Sequence, residues 1–89
     1  MAKRRRLPPD PERQNKNRSD WALEAVAAFQ NTTNADDEDA VADLICDLAH
    51  MCDRFPEYGT LADAIRRAAR HYDDETSGRG KQFQGVAHA

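Results

Sequence analysis

The chain has 89 residues, 33% of them charged, and a net charge of −3. That length allows one domain at most, and no apolar run is long enough for a membrane span or resembles the core of a secretion signal. The small net charge conceals a segregation: residues 1–19 carry seven Lys or Arg against two acids, residues 20–75 carry four Arg against fourteen acids, and residues 76–89 carry two bases and no acid.

Residues 1–18 contain one large apolar residue, Leu7, and three prolines at positions 8, 9 and 11. Proline favours extended backbone and the segment has too little apolar surface to bury, which predicts a disordered basic arm. A first helix is expected from Ser19, with its hydroxyl as N-cap and Asp20 at the positive end of the helix dipole. Trp21, Ala22, Ala25, Val26, Ala28 and Phe29 recur on one face of that helix, and Leu23 falls off it beside Ala27. The polar run Gln30-Asn31-Thr32-Thr33-Asn34 ends it.

A second helix is predicted from Asp36 to Arg54. Asp36, Asp37, Glu38 and Asp39 crowd its start, where the dipole favours negative charge. Val41, Leu44, Ile45, Leu48, Met51, Cys52 and Phe55 form its main stripe, and Ala42, Cys46 and Ala49 a shoulder of small residues. Pro56 terminates it, and Phe55 to Gly59 read as a turn. Thr60 with Asp63 three residues later opens a third helix in the manner of a capping box. There Leu61, Ile65, Ala68 and Tyr72 face inward while Arg66, Arg67 and Arg70 face out. Three glycines after Thr76 predict a flexible tail over 76–89. The expectation is an all-α fold, a small three-helix bundle over residues 19–75 between arm and tail. Fourteen large apolar side chains lie between Trp21 and Tyr72, a minimal complement for a domain this short, so oligomerisation or docking on a partner is expected.

Catalytic residue types share one helical face only at Asp43, Asp47, His50 and Arg54, at spacings of three and four that make them neighbours. Asp47 and His50, with Asp43 as a third ligand, would suit a divalent cation in a small hydrolase. The simpler reading is a solvated strip in which Asp47 pairs with His50, and no metal or cofactor is expected. Cys46 and Cys52 sit six residues apart on one helix, about 9 Å at 1.5 Å per residue, too far for a disulfide. Free buried thiols in a reducing cytoplasm are expected. Cys46 and His50 are within reach, but one helix does not supply the oriented partner and oxyanion site that a nucleophile needs, so an enzyme is not expected. Arg66, Arg67 and Arg70 invite comparison with a recognition helix, yet Asp63 stands three and four residues before two of them and accounts for surface pairing.

Two charged surfaces remain. The arm, with Lys3, Arg4, Arg5, Arg6, Arg13, Lys16 and Arg18, suits phosphate-backbone contact without sequence preference. The acidic body, with Asp36, Asp37, Glu38, Asp39, Asp43 and Asp47, would present carboxylates to a basic groove as a nucleic-acid mimic does.

The segment Asp39-Ala40-Val41-Ala42-Asp43-Leu44-Ile45-Cys46-Asp47-Leu48-Ala49-His50-Met51-Cys52-Asp53-Arg54 resembles a pattern in small helical proteins of bacterial plasmids and integrative elements. The fit continues through Ala68, Arg70, His71 and Tyr72, and through Trp21 and Phe29-Gln30. The resemblance implies an accessory role: element maintenance, transcriptional control, or inhibition of host defence in the manner of anti-CRISPR proteins. It carries over no catalytic residues.

The expected function is therefore a non-catalytic binding protein of a mobile genetic element, acting in the cytoplasm on another protein such as a host defence or regulatory complex. The alternative is a nucleic-acid-binding accessory factor using the arm. A homodimer joined through Leu23, Ala27 or the Ala42-Cys46-Ala49 shoulder is compatible with either.

Overall fold

A computed structural model describes residues 6–77 of the chain. Three α-helices, α1 (Asn15–Thr33), α2 (Asp37–Arg54) and α3 (Leu61–Glu75), follow one another, with one turn of 3-10 helix, Pro56–Tyr58, between the second and third. No strand occurs among the described residues, and no helix there is long and apolar enough to cross a membrane. The all-α, three-helix architecture is the one the hydrophobic periodicity predicts.

The start of α1 differs from expectation. The helix begins at Asn15, four residues before the predicted cap at Ser19, so the last residues assigned to the arm are helical. Asp10 is the reason. Its carboxylate accepts from the backbone N–H groups of Gln14 at 3.2 Å and Asn15 at 3.3 Å, which satisfies donors that the first helical turn leaves unpaired. A tight turn brings it there: the N–H of Arg13 donates to the carbonyl of Asp10 at 3.1 Å, and Arg13 itself adopts a left-handed φ of 58°. Ser19 is consequently an interior helical residue.

At the other end of α1, Asn34 takes the left-handed conformation at φ 62° and donates its N–H to the carbonyl of Gln30 at 2.7 Å. Asparagine is one of the few residues that tolerate this cap. The joint to α2 is fastened by Gln30, whose side-chain amide donates to the carbonyl of Ala35 at 3.1 Å and to the Asp37 carboxylate at 2.8 Å. Asp36 then opens α2 in an extended conformation, with Asp37, Glu38 and Asp39 in the first turn.

Pro56 stops α2 as predicted, and the 3-10 turn is closed by the N–H of Gly59 on the carbonyl of Pro56 at 3.0 Å. Gly59 has φ 80° and ψ −156°, a region essentially reserved for glycine. Thr60 then caps α3: its hydroxyl accepts from the N–H of Asp63 at 3.2 Å, as the spacing predicts. The C-terminus of α3 returns to the N-terminus of α1, where the Asn15 side-chain amide donates to the carbonyl of Glu75 at 2.9 Å and the Arg18 guanidinium lies 3.5 Å from the Glu75 carboxylate.

Packing is where the structure departs furthest from the sequence reading. Ala40, 1% exposed, is the single buried residue among those described. The side of α1 that is partly covered carries Asn15, Arg18, Val26, Phe29 and Gln30, so Trp21, expected inward, is turned out at 62% exposure. On α2, Leu44, Leu48, Met51 and Cys52 are half-buried, but Val41, Ile45 and Phe55 of the same stripe are exposed. On α3 only Leu61 of the predicted inward set is partly covered, and Ile65, Ala68 and Tyr72 face solvent. The apolar contact between helices is limited to half-buried side chains, and polar bonds at the helix ends add to it.

Candidate interaction surfaces

The six carboxylates expected to form an acidic surface are all exposed. Five of them, Asp36, Glu38, Asp39, Asp43 and Asp47, make no side-chain hydrogen bond or ion pair among the described residues. Asp37 differs: the Gln30 amide holds it, so it belongs to the α1–α2 joint as much as to the surface. Asp36 opens α2 without a side-chain capping bond, so the acids at this end act on the helix through charge alone. Arg54 is the only Lys or Arg on α2, and it lies at the last residue, so the row of carboxylates is not offset along its length.

The polar strip of α2 does not assemble as an ion-paired set. Arg54 turns its guanidinium to the backbone carbonyl of His50 at 3.3 Å instead of reaching Asp47. Among the described residues no group of three His, Cys, Asp or Glu side chains has a metal-holding arrangement. Cys46 and Cys52 are both free thiols, but neither is buried as expected: Cys46 is exposed and Cys52 half-buried.

The basic arm is divided by the structure. Lys3, Arg4 and Arg5 lie outside the described residues, as does the expected tail from position 78 on. Arg6 is exposed. Lys16 and Arg18 belong to α1. The Lys16 ammonium donates to Asp20 at 2.8 Å one turn along, a hydrogen bond that raises its pKa above the ordinary lysine value. Arg18 bridges Glu12 at 2.8 Å and Glu75 at 3.5 Å, and the bond to Glu12 raises its pKa too. Arg6 and Arg13 therefore remain as the described arm cations without an ion pair.

Arg66 and Arg67 share the Asp63 carboxylate at 2.6 and 3.4 Å, the surface pairing that their spacing predicts. Where Leu7 and Pro8 pass the α1–α3 corner, an open groove of about 580 Å³ is lined by Ala22 and Tyr72 together with Asp10 and Lys16. Neither this groove nor the exposure of Trp21, Ile65 and Tyr72 was legible in the sequence. Helical periodicity marks which residues are apolar on one side, and does not say whether anything covers them.

No protein-family model, curated protein or solved structure matches this chain.

Proposed function

We propose that this is a non-catalytic binding protein that acts through protein–protein contact, with the carboxylate row of α2 meeting a basic surface on its partner. The observation that carries the reading is the exposure of Asp36, Asp39, Asp43 and Asp47, which fall on one side of α2, without any internal partner among the described residues; Glu38, equally exposed, lies on the other side. Helix capping accounts for acids in the first turn, where the dipole rewards them. It does not account for Asp43 and Asp47, which lie beyond that turn and repel each other at i, i+4. Uncompensated carboxylates along one helix are complementary to a basic groove, and such complementarity speeds encounter and rejects partners of the wrong charge. The resemblance to proteins of mobile elements supplies the kind of partner: a host defence or regulatory complex whose nucleic-acid groove the acidic row would occupy.

The test is affinity capture from host extract with two altered chains. Asp39→Lys, Asp43→Lys and Asp47→Lys together reverse charge along one side of α2 at side chains that hold nothing internally, and leave the Gln30–Asp37 joint intact. Deletion of residues 1–9 removes the basic lead-in while sparing Asp10, which caps α1. The triple variant is expected to lose the captured partner and the deletion to keep it. If the deletion loses the partner and the triple variant keeps it, and the full chain shifts DNA in a gel with steep salt dependence, nucleic-acid binding through the arm replaces this reading.

A further inference from the structure

We propose that the proline segment ahead of α1 is a ligand for a partner domain of the SH3 kind, whose groove is lined by aromatic rings and ends in an acidic pocket. The segment reads Arg5-Arg6-Leu7-Pro8-Pro9-Asp10-Pro11, with an arginine three residues before Pro8 and a second proline three residues after it. A polyproline II helix has three residues per turn, so this spacing places Pro8 and Pro11 on one edge, the pattern that aromatic-lined grooves take.

Three observations select this partner. The first is conformation. Residues 6–10 adopt no helix, strand or turn, and all are exposed. Proline fixes φ at positions 8, 9 and 11, and Leu7, Pro8 and Asp10, each followed by a proline, are kept out of the helical region. The backbone is thus restricted to the extended form before any partner arrives, which lowers the entropy cost of docking.

The second is that the fold makes no use of Pro8 and Pro9. Pro11 has a local role: it follows Asp10 in the turn that the Arg13 N–H closes, a position its fixed φ suits. Pro8 and Pro9 stand outside that turn, and Leu7 beside them is 85% exposed where it passes the α1–α3 corner. The Asp10 carboxylate is held by the N–H groups of Gln14 and Asn15, so the segment is anchored at its far end while its prolines stay open.

The third is charge. A polyproline II ligand fits such a groove in either direction, and a flanking cation meeting the acidic pocket decides between them. The sequence offers one on each side, Arg5 before Pro8 and Arg13 after Pro11. The turn removes the second from line, since Arg13 takes a left-handed φ of 58° and α1 begins two residues later. The arginines before Leu7 therefore set the direction. Phosphate contact would use the same cations but would leave Pro8 and Pro9 without a role. No residue is shared with the acidic row of α2, so neither reading depends on the other.

The test titrates the isotope-labelled full chain with a panel of purified SH3 domains that take arginine-first PxxP peptides. Amide shifts are expected at Leu7, Asp10 and Glu12, and none in α2. Pro8→Ala should weaken binding about tenfold or more while the amide spectrum of the helices stays unchanged, because the fold places nothing on Pro8. Arg5→Ser with Arg6→Ser should weaken it similarly. Arg13→Gly, which keeps the left-handed conformation open, should bind as the unaltered chain does. The proposal is overturned if no domain of the panel shifts the segment. It is overturned equally if Pro8→Ala binds undiminished and affinity simply vanishes in high salt, which is charge contact alone, or if Arg13→Gly is the variant that loses binding.

Discussion

Asn15 and Glu75 are sixty residues apart in the chain, and the side-chain amide of the first donates to the backbone carbonyl of the second at 2.9 Å. The bond joins the first residue of α1 to the last residue of α3, where a helix leaves its terminal carbonyls without intrahelical partners. Arg18, one turn further along α1, adds its guanidinium to the Glu75 carboxylate and to Glu12. With little apolar burial between these helices, this polar corner is what returns α3 to α1.

Asn15→Ala removes both the bond to the Glu75 carbonyl and the acceptor that the Arg18 guanidinium reaches at 2.7 Å, and is therefore expected to destabilise the fold by about 1–2 kcal/mol, most of it retained in high salt. Arg18→Ala should have an effect that shrinks in high salt without vanishing, because the half-buried guanidinium reaches Glu12 and Glu75 through ion pairs and Asn15 through a hydrogen bond at 2.7 Å. Urea unfolding at a fixed chain concentration, in two salt concentrations, separates the two residues. An Asn15→Ala loss that vanishes in high salt would mean that the corner is held by charge and not by the amide.

At the α1–α2 joint the deciding group is the Gln30 amide, which donates at once to Ala35 and to Asp37. Gln30→Ala removes both bonds and should cost about 1 kcal/mol, since the joint is partly open to water. Gln30→Glu keeps the shape but turns a donor toward the Asp37 carboxylate into a second carboxylate, so it should cost more than the alanine change at neutral pH. Thermal melts at neutral and acidic pH check the sign: protonating the introduced glutamate should recover part of the difference between the two variants.

The residues that explain what was legible in the sequence are those whose partners lie within a turn. Thr60 and Asp63, Asp63 with Arg66 and Arg67, Pro56 at the end of α2, and the acids crowding its first turn are all local relationships, and the structure has each of them. The start of α1 was not legible because its capping group, Asp10, acts across a turn from among the prolines and not from the position before the helix. The orientation of Trp21 was not legible because a helical face is defined by periodicity only up to a rotation, and the partly covered side of α1 runs through Asn15, Arg18, Val26, Phe29 and Gln30. For the surfaces, exposure of the carboxylates followed from helical phase. The withdrawal of Lys16 and Arg18 from the arm into ion pairs did not, because it depends on where α1 begins.

Gly59 tests backbone conformation in isolation from packing. A Cβ at this position would meet nothing within 4 Å, so space does not oppose a side chain. The dihedral angles do, since φ 80° with ψ −156° is strained for any L-residue. Gly59→Ala is expected to cost about 1–3 kcal/mol in a chemical unfolding titration, although the substituted methyl would lie in open solvent. A change near zero would indicate that the turn between α2 and α3 relaxes to another conformation, visible as altered amide shifts for Thr60 and Leu61.

Asp47 separates stability from binding in one substitution. Asp43 and Asp47 are both exposed, have no internal partner among the described residues, and stand at i, i+4, where like charges destabilise a helix. Asp47→Lys replaces that repulsion by an Asp-to-Lys pair in the favourable order, and places a cation nearer the negative end of the α2 dipole. The helix should gain about 0.2–0.5 kcal/mol, read as a higher unfolding midpoint at fixed chain concentration. If the carboxylate row is the binding surface, the same chain should capture less of its partner than the unaltered one. A surface kept at a cost in stability is what selection for binding leaves behind, because an acid with no such role is readily exchanged for the stabilising residue. A variant that is both more stable and fully competent in capture would remove Asp47 from the binding surface and leave its charge without a function.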